Sequence, residues 1–486
     1  MKIALIEPRS PGYHIYSYTV LPRLGLPLLG AILRDKGHHV RVYCQDVKPI
    51  DYSSVLSADL VGISTTTSTA PEAYRIAQRV SREGIPVVFG GSHTTFMPEE
   101  ALQYGEFSIA GEAEHSLLRL VENLADEEAW ADIPALSYWR GDEMHHNEPI
   151  PHPCDLDSFP IPDLSLIEGD ERISFAPIMT SRGCPYDCSF CSVTKVFGRK
   201  YRFRSTESVI EELARNYRPS VFFYDDNFTA SPQRTKELLE EMIRRNLTPR
   251  WSAQVRVDVA KDPELLALMK RANCHFVFVG FESVVPETLV AYRKQQTVEE
   301  MEESIRAFQR VGIKVHGMFV LGSDEDDKMV ARKTVEFARK QWIDSVQLLI
   351  LTPLPGTDLY EKLEREDRLF TKRWELYDGM HVVFEPAKMS PFELQRTMIR
   401  AMAGFYSLKE CIGNILHLKF FNASLRYTGW RIVRRWRRAN RRLVKQLKFY
   451  RFWESPYEYL RKKGSKIRSL RRKAHENPGA GSEQHE

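Results

Sequence analysis

The amino-acid sequence predicts an α/β protein in three parts: an open parallel sheet, a partial (β/α)6 TIM barrel, and a helical, basic C-terminal extension. Three observations carry this reading. Over the first 125 or so residues, short β-rich runs alternate with helical stretches; from Ser174 to Leu351 a second alternation supplies six more strand candidates; after Leu359 the chain becomes helical and polar, then basic. Strand–helix alternation implies parallel strands covered by helices on both faces. Six strands with crossover helices in so short a span favour a partial barrel over an open sheet.

In the first unit (1–127), Lys2–Ile6 is an apolar strand and Leu24–Lys36 a helix stopped by Gly37. His39–Cys44, Leu60–Ser64, Pro86–Phe89 and Phe107–Ile109 supply further strands, with a helix over Ala70–Glu83. Residues 128–172 are punctuated by Pro134, Pro149, Pro151, Pro153, Pro160 and Pro162 and read as a linker. The second unit (173–385) has strand candidates at Phe175–Thr180, Val221–Tyr224, Trp251–Val255, Phe276–Gly280, Lys314–Leu321 and Ser345–Leu351, separated by helical stretches such as Ser205–Asn216 and Pro232–Arg245. Residues 386–473 read as a helical basic and aromatic region, and 474–486 as a disordered tail.

A chain of 486 residues, 43% hydrophobic and 28% charged, has the composition of a soluble globular protein with two or three cores. Its N-terminus reads as a strand and not a cleavable signal, and no apolar run approaches the roughly 18 residues of a membrane span. Seven cysteines in such a chain argue for reduced thiols and a cytoplasmic location. Charge is uneven: Lys419–Lys473 holds 20 Lys and Arg against two acids, Glu454 and Glu458, which suggests a polyanionic partner.

Three of the seven cysteines fall in Gly183-Cys184-Pro185-Tyr186-Asp187-Cys188-Ser189-Phe190-Cys191, directly after the first strand of the second unit. Thiolates are soft ligands suited to iron–sulfur clusters, and closely spaced cysteines on one loop reach several irons. Three ligands leave one iron of a four-iron cluster open to a small molecule. A tetrahedral zinc site is the alternative, but it wants four ligands, and Cys154, Cys274 and Cys411 stand alone.

This Cys-x3-Cys-x2-Cys spacing, with an aromatic before the third cysteine, resembles the signature of the radical S-adenosylmethionine (SAM) superfamily. The resemblance implies a four-iron four-sulfur cluster on Cys184, Cys188 and Cys191, whose open iron chelates SAM and cleaves it to a 5'-deoxyadenosyl radical. It further implies SAM contacts from Phe190, from Tyr224, Asp225 and Asp226 after the second strand, and from Gln254 and Arg256 after the third. Glu282, Gly322 and Pro353, after the later strands, complete that set. An electron donor of the ferredoxin or flavodoxin kind follows from the same chemistry.

With the barrel so recognised, the first unit resembles the Rossmann-like cobalamin-binding domain that precedes the barrel in one class of the superfamily. Ser64 and Thr65 after one strand, Gly90, Gly91 and His93 after the next, and Glu112 beyond are the expected cobalamin contacts. The Asp-x-His-x-x-Gly element that supplies a cobalt-ligating histidine is missing; Glu7-Pro8-Arg9-Ser10-Pro11-Gly12 stands in its place, and His14 and His93 are the nearby histidines.

In the basic region, Ile432, Val433, Trp436, Leu443, Val444, Leu447 and Tyr450 recur at helical spacing among arginines. Three readings stay open: a helix lying in an anionic membrane surface, a grip on RNA or DNA phosphates, or an apolar face packed on the barrel. The density of Trp and Tyr favours the bilayer interface over nucleic acid. The expectation is cobalamin-dependent C-methylation of a hydrophobic small molecule or lipid, an isoprenoid or a tetrapyrrole, by a protein peripheral on the inner membrane face, resembling hopanoid methylases and bacteriochlorophyll-pathway enzymes. Radical carbon–carbon coupling, cyclisation or oxidation shares every motif, and an RNA-modifying radical SAM enzyme is the alternative of another class.

Overall fold

The computed structural model describes residues 1–10, 20–150 and 155–452. The first sheet contains β1 (Lys2–Glu7), β2 (His39–Cys44), β3 (Leu60–Ser64), β4 (Val87–Gly90), β5 (Phe107–Ile109), β6 (Leu136–Arg140) and β7 (Glu143–His146), in the order β2-β1-β3-β4-β5-β6-β7. β1 to β5 pair in parallel, and β6 and β7 are antiparallel. Alternate residues of β1 serve opposite faces: Ile3 and Leu5 join the core under α1 (Gly25–Asp35), while Ala4 and Ile6 join the core beneath α2 (Ala70–Ser81). α3 (Glu114–Glu122) covers the first of these faces beside α1.

β6 and β7 correct one expectation. They lie within 128–172, the stretch read as a linker, and form a hairpin turning at Gly141, whose φ is +61°. The Pro-rich flanks hid a short alternating segment, Leu136-Ser137-Tyr138, which is buried because it extends the sheet at β5.

The second sheet is wholly parallel: β8 (Phe175–Ile178), β11 (Ser220–Phe223), β12 (Arg250–Val255), β13 (Cys274–Glu282), β14 (Lys314–Leu321) and β15 (Ser345–Ile350), in that spatial order. Between β8 and β11 a two-stranded ribbon pairs β9 (Ser181–Arg182) with β10 (Arg202–Phe203). The crossover helices are α4 (Thr206–Arg215), α5 (Pro232–Arg244), α6 (Pro263–Arg271), α7 (Val298–Arg310) and α8 (Val330–Lys340). Their starts are encoded locally: Pro opens α5 and α6, and Thr297 with Glu300 forms a capping box on α7. This is the six-stranded partial barrel the alternation predicted.

A partial barrel leaves an edge, and here the C-terminal helices cover it. α9 (Asp358–Arg365) follows β15; then α10 (Pro391–Phe405), α11 (Leu408–Leu416) and α12 (Phe420–Ala439) run along the β15 side. The Tyr406 hydroxyl accepts from Val346 N–H at 2.9 Å and donates to Val346 O at 2.6 Å, while Arg426 donates to Asp344 O at 2.9 Å. Side chains thus satisfy the backbone groups of the exposed edge. Of the apolar stripe expected on the basic helix, Val433, Trp436 and Leu447 are buried against protein, so that stripe takes the packed arrangement. Residues 453–486, including the predicted disordered tail, lie outside the described residues. Among the described residues no helix is long and apolar enough to cross a membrane.

Candidate active site between the two sheets

The site is built where the strand ends of the two sheets face each other. β8 ends at Ile178, and the chain is then pinned by Asp225, at the end of β11. Its Oδ1 accepts from the N–H groups of Thr180 (2.8 Å) and Ser181 (2.7 Å), and its Oδ2 accepts from the Thr180 hydroxyl (2.7 Å). Arg234 donates to Thr180 Oγ1 and O at 2.9 and 3.0 Å. Burial pushes the Asp225 carboxyl up, against the pull of these donors and of Arg234. Both carboxylate oxygens are consumed inside the protein and the residue is wholly buried, so Asp225 positions the cysteine loop and does not face a ligand. This corrects the expected SAM contact.

Pairing of Ser181–Arg182 with Arg202–Phe203 then closes the base of the loop carrying the cysteines. Gly183 has φ +83°, and a Cβ there would lie 2.8 Å from the carbonyl oxygen of Lys200, so only glycine fits the entry. Cys184, Cys188 and Cys191 are free and half-buried. Burial raises the Cys184 thiol and pushes the Cys191 thiol up to about 12. Among the described residues no three His, Cys, Asp or Glu side chains converge as a metal site. What the loop offers is the donor set itself: three unpaired thiols, four and three positions apart, on a base locked from both sides. That chemistry fits an iron–sulfur cluster.

Behind the loop, Tyr186 donates to Asp258 at 2.8 Å, and the Arg256 guanidinium lies 3.7 Å over the Tyr186 ring. Arg256 also donates to Lys294 O at 2.7 Å, and Lys294 Nζ donates to Glu282 Oε1 at 2.6 Å. Glu282 and Lys294 are both buried, and Glu282 has φ +61°, a strained conformation held by this pairing. The buried Arg256 Nε makes no hydrogen bond, but faces the Asp258 carboxylate at 3.9 Å. Phe190 packs edge-on to Tyr292 at 4.9 Å. Gly322 (φ +114°) gives its N–H to Asp326 at 2.8 Å, Gln254 is half-buried at the end of β12, and Pro353 is buried after β15.

Two cavities open at this junction. The first, about 390 Å³, is lined by Ser64, Thr65, Gly90, Gly91 and Glu112 from the first sheet and by Tyr224 and Asp226 from the barrel. It runs inward past Gly62 to Leu5 and Leu117, with mostly apolar walls. Gly91 has φ +98°, and a Cβ on it would sit 2.3 Å from Thr65 O. Asp226 projects into this cavity, and the surrounding protein, with Asp225 beside it, pushes its carboxyl up to about 7. A deep apolar cleft floored by glycines, open at the strand ends of a parallel sheet, lets a bulky ligand approach the backbone closely, which suits a corrin or its nucleotide tail.

The second cavity, about 580 Å³, is walled by Thr66–Thr69 and Arg9 on one side and by Phe190, Val320, Leu351 and Tyr377 on the other. The two cavities share Arg23, Thr66, Ser92 and Ser192.

Five of the six expected cobalamin contacts line the first cavity; His93 does not. Its side chain is fully buried on the far side, with its ring 5.1 Å from that of Trp374 and Nε2 3.6 Å from Glu100 Oε1. The short helix Ser92–Phe96 carries it under the barrel's later loops and away from the sheet's mouth. His14 lies outside the described residues.

Sequence reasoning missed the clamp between the sheets. Arg182, the residue before Gly183, reaches Glu112 at 3.0 Å and Glu114 at 2.6 Å, and Arg202 holds Glu112 at 2.8 Å. All four side chains are buried. Burial alone would raise Glu112, but Arg202 and Arg182 hold its carboxyl below the usual range. The signal was present as arginines flanking the cysteine loop on both sides, facing a Gly-Glu-Ala-Glu turn.

The profile of the radical SAM superfamily matches residues 178–338, and that of the B12 binding domain matches residues 14–121. An uncharacterized methyltransferase of Pyrococcus horikoshii is 30% identical over 84% of this chain and 92% of its own. The hopanoid C-3 methylase of Methylococcus capsulatus is 27% identical over 84% of this chain and 80% of its own. The solved structure of OxsB, a cobalamin-dependent S-adenosylmethionine radical enzyme with aqua-cobalamin and S-adenosylmethionine bound, superposes over 96% of this chain and 83% of its own, with TM-score 0.66 at 16% identity. The chain belongs to the radical SAM superfamily, as an enzyme whose cofactors are a four-iron four-sulfur cluster, SAM and, in the B12-binding domain ahead of the barrel, cobalamin.

Proposed function

We propose that the enzyme transfers a methyl group to an unactivated carbon of an apolar substrate of lipid, isoprenoid or tetrapyrrole type, taken up at a membrane surface. The observation that carries this reading is the joined pair of cavities. One is bounded by the B12-binding sheet and the other by the barrel mouth and Phe190, and both have largely apolar walls. Methyl transfer is also what the names of the Pyrococcus horikoshii and Methylococcus capsulatus relatives describe.

When bound, the cluster with SAM supplies a radical able to take a hydrogen atom from carbon, and cobalamin supplies the methyl group. The chain's own part is placement and dryness. Cys184, Cys188 and Cys191 would hold the cluster on the loop that Asp225, Arg234 and Arg182 fix. Tyr224, Asp226, Gln254, Arg256, Glu282, Gly322 and Pro353, at the ends of the barrel strands, would contact SAM, with Tyr224 and Asp226 open to the first cavity. Ser64, Thr65, Gly90, Gly91 and Glu112 floor the place for the corrin. Val320, Leu351 and Tyr377 turn apolar surface toward the substrate and exclude water from a reactive intermediate. A low-potential donor of the ferredoxin or flavodoxin kind would supply electrons.

The test is anaerobic reconstitution with iron, sulfide, cobalamin and a reductant, followed by product analysis on a lipid extract. 5'-Deoxyadenosine, S-adenosylhomocysteine and a methylated lipid are expected together. Deoxyadenosine formed without S-adenosylhomocysteine would overturn methyl transfer in favour of coupling, cyclisation or oxidation.

A further inference from the structure

Exposed apolar side chains are concentrated at one place, the turn from α11 into α12. Leu416 is 77% exposed, Leu418 76% and Phe420 64%, joined by Ile412 and Ile415 on α11 and by Trp342 at 58%. Lys419 lies between them, its Nζ 3.8 Å over the Trp342 ring. Such residues ordinarily pack inside, and a contiguous group of them on the surface marks a contact.

The rest of α12 and the short helix after it, Arg441–Gln446, supply charge. From Lys419 to Tyr450 the sequence has 11 Lys and Arg and no acid. A groove of about 510 Å³ between α10 and α12 is lined by Arg396, Arg400, Arg434, Arg437, Arg441 and Lys445. Among the described residues Arg400, Arg437 and Arg441 have no acidic partner, whereas most arginines of the barrel helices are paired. Unpaired cations at one end of this flank and exposed aliphatic and aromatic side chains at the other suit a surface that is anionic at its headgroups and apolar just beneath.

We infer that the flank formed by α10, α11 and α12 seats on an anionic lipid bilayer, with the Leu416–Phe420 turn inserted at the interface and the arginine groove on lipid phosphates. Nucleic acid would use the arginines but leaves the apolar turn in water. The geometry also gives this seat a use. α12 runs the height of the barrel, from Phe421 beside His275 and Phe276 at the start of β13 to Asn440, which hydrogen-bonds His381 at 3.1 Å. His381 in turn faces Asp378 at 2.9 Å, and Asp378 lines the second cavity. The upper end of the seat therefore abuts the wall of the chamber. The inference deepens the apolar-substrate reading, and only this use of the seat rests on it.

Flotation of the full-length protein with vesicles tests the seat. Vesicles are phosphatidylcholine alone or a phosphatidylcholine–phosphatidylglycerol mixture, and poly(U) co-sedimentation is run in parallel. The native chain should float with the anionic vesicles and release steeply with salt. The Leu416→Ser, Leu418→Ser, Phe420→Ser variant, altered only at exposed positions, and Arg437→Glu, Arg441→Glu should each lose about tenfold or more in partition. Recovery of the native chain in the unbound fraction with both vesicle types would overturn the inference, as would flotation indifferent to the turn substitutions. Poly(U) binding with native vesicle flotation absent would assign the flank to nucleic acid instead. Methyl transfer to a detergent-dispersed acceptor, measured alongside, reports on the functional reading alone, so the two cannot fail unnoticed together.

Discussion

The mouth of the barrel and its β15 flank use the same residue for opposite ends. At the mouth, Arg182 and Arg202 are buried and fully engaged with Glu112 and Glu114. On the flank, Arg437 and Arg438 are exposed and unpaired among the described residues. A buried guanidinium with two carboxylates fixes geometry, because leaving it would strand charge in a poor solvent. An exposed one fixes nothing in the chain itself and remains available to a partner. The mouth is thus built for precision within the molecule and the flank for contact outside it.

The largest effects are expected at the cysteines of the mouth. Replacing Cys184, Cys188 or Cys191 by Ala should abolish the brown cluster absorbance and SAM cleavage outright while leaving the far-UV circular dichroism unchanged. Retained cleavage in any one variant would refute that residue as a ligand. Arg182→Ala comes next. It leaves Glu114 without its arginine and Glu112 with Arg202 alone, and should cost about 3–5 kcal/mol of stability in urea titration. Arg437→Ala, its counterpart on the flank, should stay within about 0.5 kcal/mol. Equal costs for the two would erase the distinction between the regions.

The same contrast explains what could be read from the sequence. The barrel strands and the cysteine loop were legible because a parallel strand buried on both faces is a continuous apolar run, and because three clustered thiols have few other uses. Asp225 and His93 were misread for one reason. A side chain's position along the chain gives the strand end it sits on but not the direction in which it points, and both turn inward to partners distant in sequence, Thr180 and Trp374. The β6–β7 hairpin was lost among prolines. On the flank, periodicity marked Val433 and Trp436 as one face of a helix, but only the uncovered edge of β15 decides that this face belongs to the protein. The exposed turn at Leu416–Phe420 breaks helical periodicity and left no pattern to find.

Trp436 is the point at which the flank is fixed to the barrel. It is 2% exposed, and its ring lies 5.1 Å from that of His381. Trp436→Ala should cost about 3 kcal/mol through lost burial and the cavity left behind, although its neighbours Arg435 and Arg437 face water. If α12 were merely resting on the barrel, the cost would be near zero and limited proteolysis after Phe405 would be unaffected.

A pH-dependent effect separates the regions by sign. His316 points into the barrel among the rings of Phe276 and Phe278, and burial pushes its pKa down to about 4. An unfolded histidine titrates near 6.5, so as pH falls the unfolded chain binds the proton first. The stability that neutral His316 secures is whole above about pH 6.5 and drains between there and about pH 4. His381, under α12, runs the other way. Burial opposes its charge, but the Asp378 carboxylate outweighs burial and raises its pKa. Its contribution is present at low pH and lost as pH rises through the folded value. Between pH 7 and pH 5 the lumen should therefore lose at most about 2 kcal/mol on account of His316. His316→Gln, which does not titrate, should remove that loss from the urea midpoints. His381→Gln should instead deepen the acid loss, because the compensating histidine is gone. An acid loss that is the same in all three chains would mean that neither histidine differs in pKa between the folded and unfolded states.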